Sequence, residues 1–401
     1  MDVDHSQNVG HSQNVDHSQY VIVGAGLAGA ATAWQLAAAG HEVTIVERGA
    51  PADEAGSSHG SARIFRYAYP TAFYTRLVAR SRTLWSQLES ASAQTLISPT
   101  GAVDFGLERD PVALARVLEE AGIEHELLER EEATARWPQF HFETEVLWHP
   151  EAGVIDAERS VEAMVVQAQK HGARLLAGWD LTAVERRGHG YTLRSADGRR
   201  LDAERVVVAA GGWLPRLLDL LPLPSAFRAG LPRFEVRQEQ AYHFRYRENH
   251  RWPTFIHKNR RMLTYGLPGG RDADFQGLKV AEFNGGKPLR SAAEQDGVVD
   301  AKNRERVIDY VRRHHPGLDP RPYAETTCLF TNTPNEDFVL DRCEGLTILS
   351  PCSGHGAKFA PLMGTLAAGV ASAADATAAR TLIPEPFLTG STRQTGSAPG
   401  I

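Results

Sequence analysis

The chain has 401 residues, of which 42% are hydrophobic, enough for two or three domains with a sizeable buried core. Its net charge of −6 is spread along the sequence without a long basic run, which argues against nucleic acid or an anionic membrane as a partner and for a small ligand. Three cysteines, Cys328, Cys343 and Cys352, cannot make a paired disulfide framework and point to a reducing, cytoplasmic setting.

Residues 1–19 repeat His-Ser-Gln three times and lack both the basic start and the apolar stretch of a secretory signal, so they are expected to form a disordered tail. The tail histidines are expected to be solvated, and no metal site is expected anywhere in the chain. An apolar run at 20–23 then meets Gly24, Gly26 and Gly29 at the GxGxxG spacing. A helix-prone segment at 30–39 follows, and a second apolar run at 42–47 ends on Glu47. This is a complete β-α-β dinucleotide-binding pattern. Gly24 permits the turn, Gly26 admits a pyrophosphate, Gly29 lets the helix pack closely, and Glu47 can hold a ribose hydroxyl.

Residues 55–66, rich in Gly and Ser, read as an ordered loop leading to a helix at 71–88. A strand at 102–106, a helix at 111–120 and an irregular connection around Trp137 come next. The nucleotide-like pattern then resumes, with a helix at 157–171, strands at 174–176 and 191–194, and a buried strand at 205–210 running into the Gly211-Gly212 turn, a second close approach to the same ligand. Partial polar/apolar alternation at 236–246 suggests an antiparallel strand with one covered face, suited to a substrate platform. A strand at 346–350, a turn at 351–356 and an Ala-rich helix at 362–374 close the pattern.

Arginine is the default cation. Only six of the 43 basic residues are lysines, and Lys279 and Lys358 stand in apolar, glycine-flanked contexts unlike a random surface.

Four blocks occur in order: GAGLAG with Glu47, GSSHGSARIFRYAYP at 56–70, TCLFTNTP at 327–334 followed by Asp337, and SGHGAKF at 353–359. Together they resemble the monomeric sarcosine oxidase and N-methyltryptophan oxidase family of FAD-dependent amine oxidases. The resemblance implies an α/β fold. In it an FAD-binding Rossmann-like domain of the glutathione reductase type (20–98, 157–228 and 328–388) is interleaved with an antiparallel-sheet substrate domain (99–156 and 229–327), and 389–401 form a loose tail.

It also implies roles for residues. Cys328 falls on the cysteine that bonds covalently to the flavin, and Arg66 and Lys358 match the pair that grips the substrate carboxylate. Arg63 matches an arginine at the flavin face, Tyr265 a pocket tyrosine, and Lys279 the lysine that activates oxygen, although an insertion at 269–276 precedes it. Ser57, Gly211, Gly354, His355 and Gly356 are expected beside the cofactor, and Cys352 near it. Cys343 is expected to be incidental.

Two positions depart from the sarcosine-oxidising members, which carry a tyrosine where this chain has Phe330 and a histidine where it has Phe283. An apolar wall there favours a bulkier N-alkyl or cyclic amino acid over sarcosine. The expected activity is an FAD oxidase of a secondary amino acid that yields an imine and hydrogen peroxide from O2; a monomer is favoured, and the sequence does not fix the oligomeric state. A dehydrogenase or D-amino-acid-type oxidase with free FAD, and a non-catalytic FAD-binding protein, remain open at this level.

Overall fold

The computed structural model describes residues 16–390; the expected N-terminal tail up to residue 15 and the C-terminal tail from residue 391 lie outside them. The first strand begins earlier than the apolar run: Asp16–Val23 is continuous, so residues 16–19 are strand and not tail. The reason is parallel pairing with Arg200–Val208 from Asp16 opposite Leu201 to Val23 opposite Val208, which gives even the polar residues backbone partners.

Among the described residues, eight strands form one sheet and nine a second, with a small three-stranded sheet between distant segments. The centre of the first sheet is parallel. Asp16–Val23 lies between Val43–Val46 and Arg200–Val208, with Arg174–Leu176 and Leu346–Ser350 flanking them. Buried on both faces, Val206, Val207 and Val208 read as an unbroken apolar run for that reason. The helix Leu27–Ala38 covers one face and is nearly all Ala, Gly and Leu, so its neighbours come close. A Cβ at Gly29 would stand 1.9 Å from the Gly24 carbonyl oxygen, and Gly24 itself has φ +104°, reserved in practice for glycine.

The second sheet is mostly antiparallel and is dominated by two long strands, Glu235–Tyr246 and Leu318–Asn332, whose register sets Glu239 opposite Cys328. One pair in it, Thr254–Lys258 with Ala102–Phe105, is parallel. The helix Ala301–His314, capped by the Asp300 carboxylate on the Asn303 amide, covers this sheet; the pattern reading had not singled it out. Within the 55–66 loop, Arg63–Phe65 is a short strand paired with Gly153–Ile155, which anchors the segment that carries Arg63 and Arg66. No helix among the described residues is long and apolar enough to cross a membrane.

Candidate active site

A cavity of about 270 Å³ gathers residues from the first sheet, the 55–66 segment, the second sheet and the turn after Ser350. Every cofactor- or substrate-site residue expected from the sequence lines it except Gly29, whose contact with Gly24 is a packing role. Four groups of side chains lie in the wall or directly behind it.

The first group surrounds the glycine turn. The Glu47 carboxylate accepts from the Ala25 amide at 2.7 Å and the Gly49 amide at 3.0 Å, so it is fixed at the end of its strand with lone pairs to spare for hydroxyls. At the start of the Leu27–Ala38 helix the Leu27 amide donates to Ser58 Oγ at 3.0 Å, so Ser58 attends the helix terminus. Ser57, the expected residue, also lines the cavity, but its hydroxyl donates to the Leu329 carbonyl at 2.8 Å and ties the loop to the strand that carries Cys328. Gly211 lies in the wall with φ +49°.

The second group is Arg63, Tyr265, Lys279 and Cys328. Strand pairing sets Lys279 between His243 and Leu267. Its side chain is buried and has no hydrogen-bond or ion-pair partner among the described residues. Burial, reinforced by the Arg63 guanidinium, pushes its pKa down to about 8. Arg63 is held by the carbonyls of Ala62, Ser57 and His59 at 2.9, 3.0 and 2.9 Å, an arrangement that leaves its charge uncancelled. Burial raises the Cys328 thiol, against the pull of Arg63 and Lys279, and raises the Tyr265 phenol beside it.

Three residues around Lys279 were missed from sequence. The insertion at 269–276 carries Asp272, which accepts from Ser61 Oγ and whose charge acts on Lys279 and His243. His59 and His243 are kept neutral chiefly by burial, each pushed down to about 4. All three line a second, polar cavity of about 360 Å³ together with Thr326 and Thr327. The insertion left a trace as an interruption of the family pattern, and His59 lay unremarked within the GSSHGSARIFRYAYP block.

The third group is Arg66, Tyr69, His355 and Lys358, all buried. The Lys358 ammonium donates to the Tyr69 hydroxyl at 3.1 Å and the His355 carbonyl at 2.8 Å. Tyr69 Oη stands 2.9 Å from His355 Nδ1, and His355 Nε2 is 2.9 Å from the Glu336 carbonyl. A carbonyl can only accept, so Nε2 bears the proton, Nδ1 accepts from Tyr69, and Tyr69 is free to accept from Lys358. Burial and the Lys358 charge keep His355 neutral, as this chain of donors requires.

Two of the three ammonium protons are thereby used. Arg66 donates from Nη1 to the Ala68 carbonyl, while Nη2 is buried without a partner, and the guanidinium carbon lies 4.6 Å over the Tyr69 ring. Burial lowers the pKa of both cations, and Arg66 lowers that of Lys358 further. Neither forms an ion pair with a carboxylate among the described residues. Tyr69, which joins the pair, lay unremarked in the RIFRYAYP block.

Phe283 and Phe330 face each other with ring centres 5.4 Å apart. Gly354 fits against both, since a Cβ there would come within 2.6 Å of Phe283 and 2.7 Å of Phe330 at a φ of +72°. Gly356 and Cys352 complete the turn wall, whereas Cys343 packs elsewhere, against the apolar cluster around Leu346.

The glycine turn, the helix terminus and the fixed Glu47 carboxylate suit a dinucleotide, and the uncompensated cations suit anionic groups. N-methyl-L-tryptophan oxidase of Yersinia pestis (strain Pestoides F) is 28% identical over 358 residues, spanning 87% of this chain and 93% of that protein. Among solved structures, NikD, described as an unusual amino acid oxidase essential for nikkomycin biosynthesis, superposes with a TM-score of 0.79 at 25% identity, covering 91% of this chain and 97% of that one. L-proline dehydrogenase from P. horikoshii shares the fold, with a TM-score of 0.76 at 20% identity over 89% of this chain and 94% of that one. The sequence also matches the DAO family, described as FAD dependent oxidoreductase, over residues 19–369, and the chain therefore belongs to that family.

Proposed function

We propose that the protein oxidises a secondary amino acid, N-alkylated or cyclic, at a C–N bond to give an imine, with O2 as the final acceptor and hydrogen peroxide as product. The observation that carries this reading is the Arg66 and Lys358 pair: two buried cations, each with a donor left over and neither in an ion pair with a carboxylate among the described residues. A substrate carboxylate would satisfy both and would fix one end of the molecule. The likeness to N-methyl-L-tryptophan oxidase and NikD supports an amino acid as that molecule. Phe283 and Phe330 offer it an apolar wall, which favours bulk on or near the nitrogen.

FAD, when bound, supplies the two-electron acceptor for the C–N bond. The chain's contributions are binding and charge. Gly24, Gly26, Ser58 and Glu47 would hold the nucleotide part, and Lys279 would present a cation where negative charge develops during oxygen reduction. Anaerobic mixing with N-methyl and cyclic amino acids of increasing bulk should bleach the yellow protein, and the matching amides, which lack the carboxylate, should not. An unbleached protein across the whole panel would overturn the reading.

Cys328 is proposed as a covalent anchor, its Sγ replacing one hydrogen of the flavin 8α-methyl while the two electrons released pass to O2. After acid precipitation the yellow colour should stay with the protein pellet. In Cys328→Ala it should move to the supernatant, and release of all colour from the unaltered protein would refute the anchor.

A further inference from the structure

On the far side of the second sheet from this cavity, Glu143, His257 and His314 converge. Their ligand-capable atoms all lie within 4.8 Å of one another. His257 sits on the strand Thr254–Lys258 next to Ile256, and because neighbouring strand residues point to opposite faces, Ile256 lines the active-site cavity while His257 meets the helix behind it. His314 ends the helix Ala301–His314, and Glu143 lies on the exposed connection before Val146–His149.

His257 Nε2 is 3.8 Å and His314 Nδ1 3.6 Å from the two Glu143 oxygens, too far for hydrogen bonds. Both nitrogens are buried without a partner. His257, fully buried, is also oriented: its Nδ1 stands 2.9 Å from the Tyr310 hydroxyl, one helical turn before His314, which turns Nε2 toward the gap. The His141 amide donates to the His314 carbonyl at 2.8 Å and pins the connection bearing Glu143 to the helix end.

We propose that these three residues bind a divalent transition-metal ion of the zinc class, through His257 Nε2, His314 Nδ1 and a Glu143 carboxylate oxygen, with water as the fourth ligand. Two imidazoles and one carboxylate make a donor set that zinc accepts. Ligand atoms about 2.0–2.1 Å from the ion would sit about 3.3 Å apart in a tetrahedron, so modest side-chain rotations close the gap. The exposed Glu143 provides solvent access, and a buried donor pair otherwise left unsatisfied gains its partner. Such an ion would clip the connection, the strand and the helix together behind the cavity wall without touching the reacting groups.

Equilibrium dialysis of the full-length, flavin-loaded protein against Zn2+ tests the site, with Glu143→Gln and His314→Gln as separate variants. Histidines of the N-terminal repeat bind equally in all three proteins, so the difference isolates the cluster. One zinc per chain should be lost, or its affinity weakened by at least about tenfold, in either variant. Added Zn2+ should raise the melting temperature of the unaltered protein and leave that of Glu143→Gln unchanged. The surface position of Glu143 makes misfolding an unsuitable explanation for that loss. Equal zinc uptake by all three proteins, or no uptake beyond that of Glu143→Gln, overturns the proposal.

Discussion

Replacing Arg66 or Lys358 by an uncharged residue of similar length is expected to raise the Michaelis constant for an amino acid substrate by about 30-fold to more than a thousandfold. That range corresponds to the about 2–5 kcal/mol lost when one partner of a buried, hydrogen-bonded charge pair is removed. Lys358→Met and Arg66→Met are the informative variants, because both keep the apolar stem. The same substitutions should not destabilise the ligand-free protein, and should even raise its melting temperature. Two like charges buried beside each other, each depressed in pKa by burial, oppose folding until an anion joins them. A carboxylate inhibitor should accordingly stabilise the unaltered protein and neither variant. Unchanged Michaelis constants in both variants would remove the carboxylate clamp from the mechanism.

Lys279→Met is expected to slow oxygen consumption by about a hundredfold to a thousandfold while anaerobic bleaching by substrate keeps nearly its normal rate. The split follows from position: Lys279 faces Arg63, Cys328 and Asp272, and the carboxylate-binding pair is a separate cluster around Tyr69. Its pKa near 8 gives the reaction a pH signature. The ammonium is present below that value and is lost as pH rises through it, so oxygen reactivity should fall above about pH 8 in the unaltered protein and lie flat in Lys279→Met. Stability has the opposite trend. Between about 8 and the ordinary lysine value the unfolded chain holds the extra proton, so this group's penalty on folding fades as pH rises. Equal slowing of both half-reactions would deprive Lys279 of its role.

The β-α-β unit was legible because three constraints coincide there: a turn that only glycine makes at Gly24, a helix approach that only glycine allows at Gly29, and an acid at the strand end. Arg66 and Lys358 were legible through family resemblance, which carried their residue types but not their wiring. Tyr69 and the neutral His355 that organise them needed three-dimensional contacts between segments nearly 290 positions apart. Ser57 and Ser58 show the limit of motif reading, since adjacent serines in one loop point to different partners and sequence alone could not say which reached the helix. The long strand Leu318–Asn332 escaped notice because polar and half-buried residues fill most of it, with no clean alternation. Asp272 was hidden in an insertion, where neither periodicity nor resemblance had purchase.

The nucleotide-holding sheet is stitched from chain stretches far apart, and its last parallel strand, Leu346–Ser350, pairs with Val206–Val208 near the middle of the chain. The helix Ala360–Ser372 then locks over Leu27–Ala38, where Gly364 meets Ala31 so closely that a Cβ would stand 2.5 Å away. A nascent polypeptide still lacking these final segments has the glycine turn but neither Lys358 nor the closing wall. Until Leu346–Ser350 is in place the half-built sheet leaves Val206–Val208 unpaired along one side, an apolar edge open to pairing with another chain.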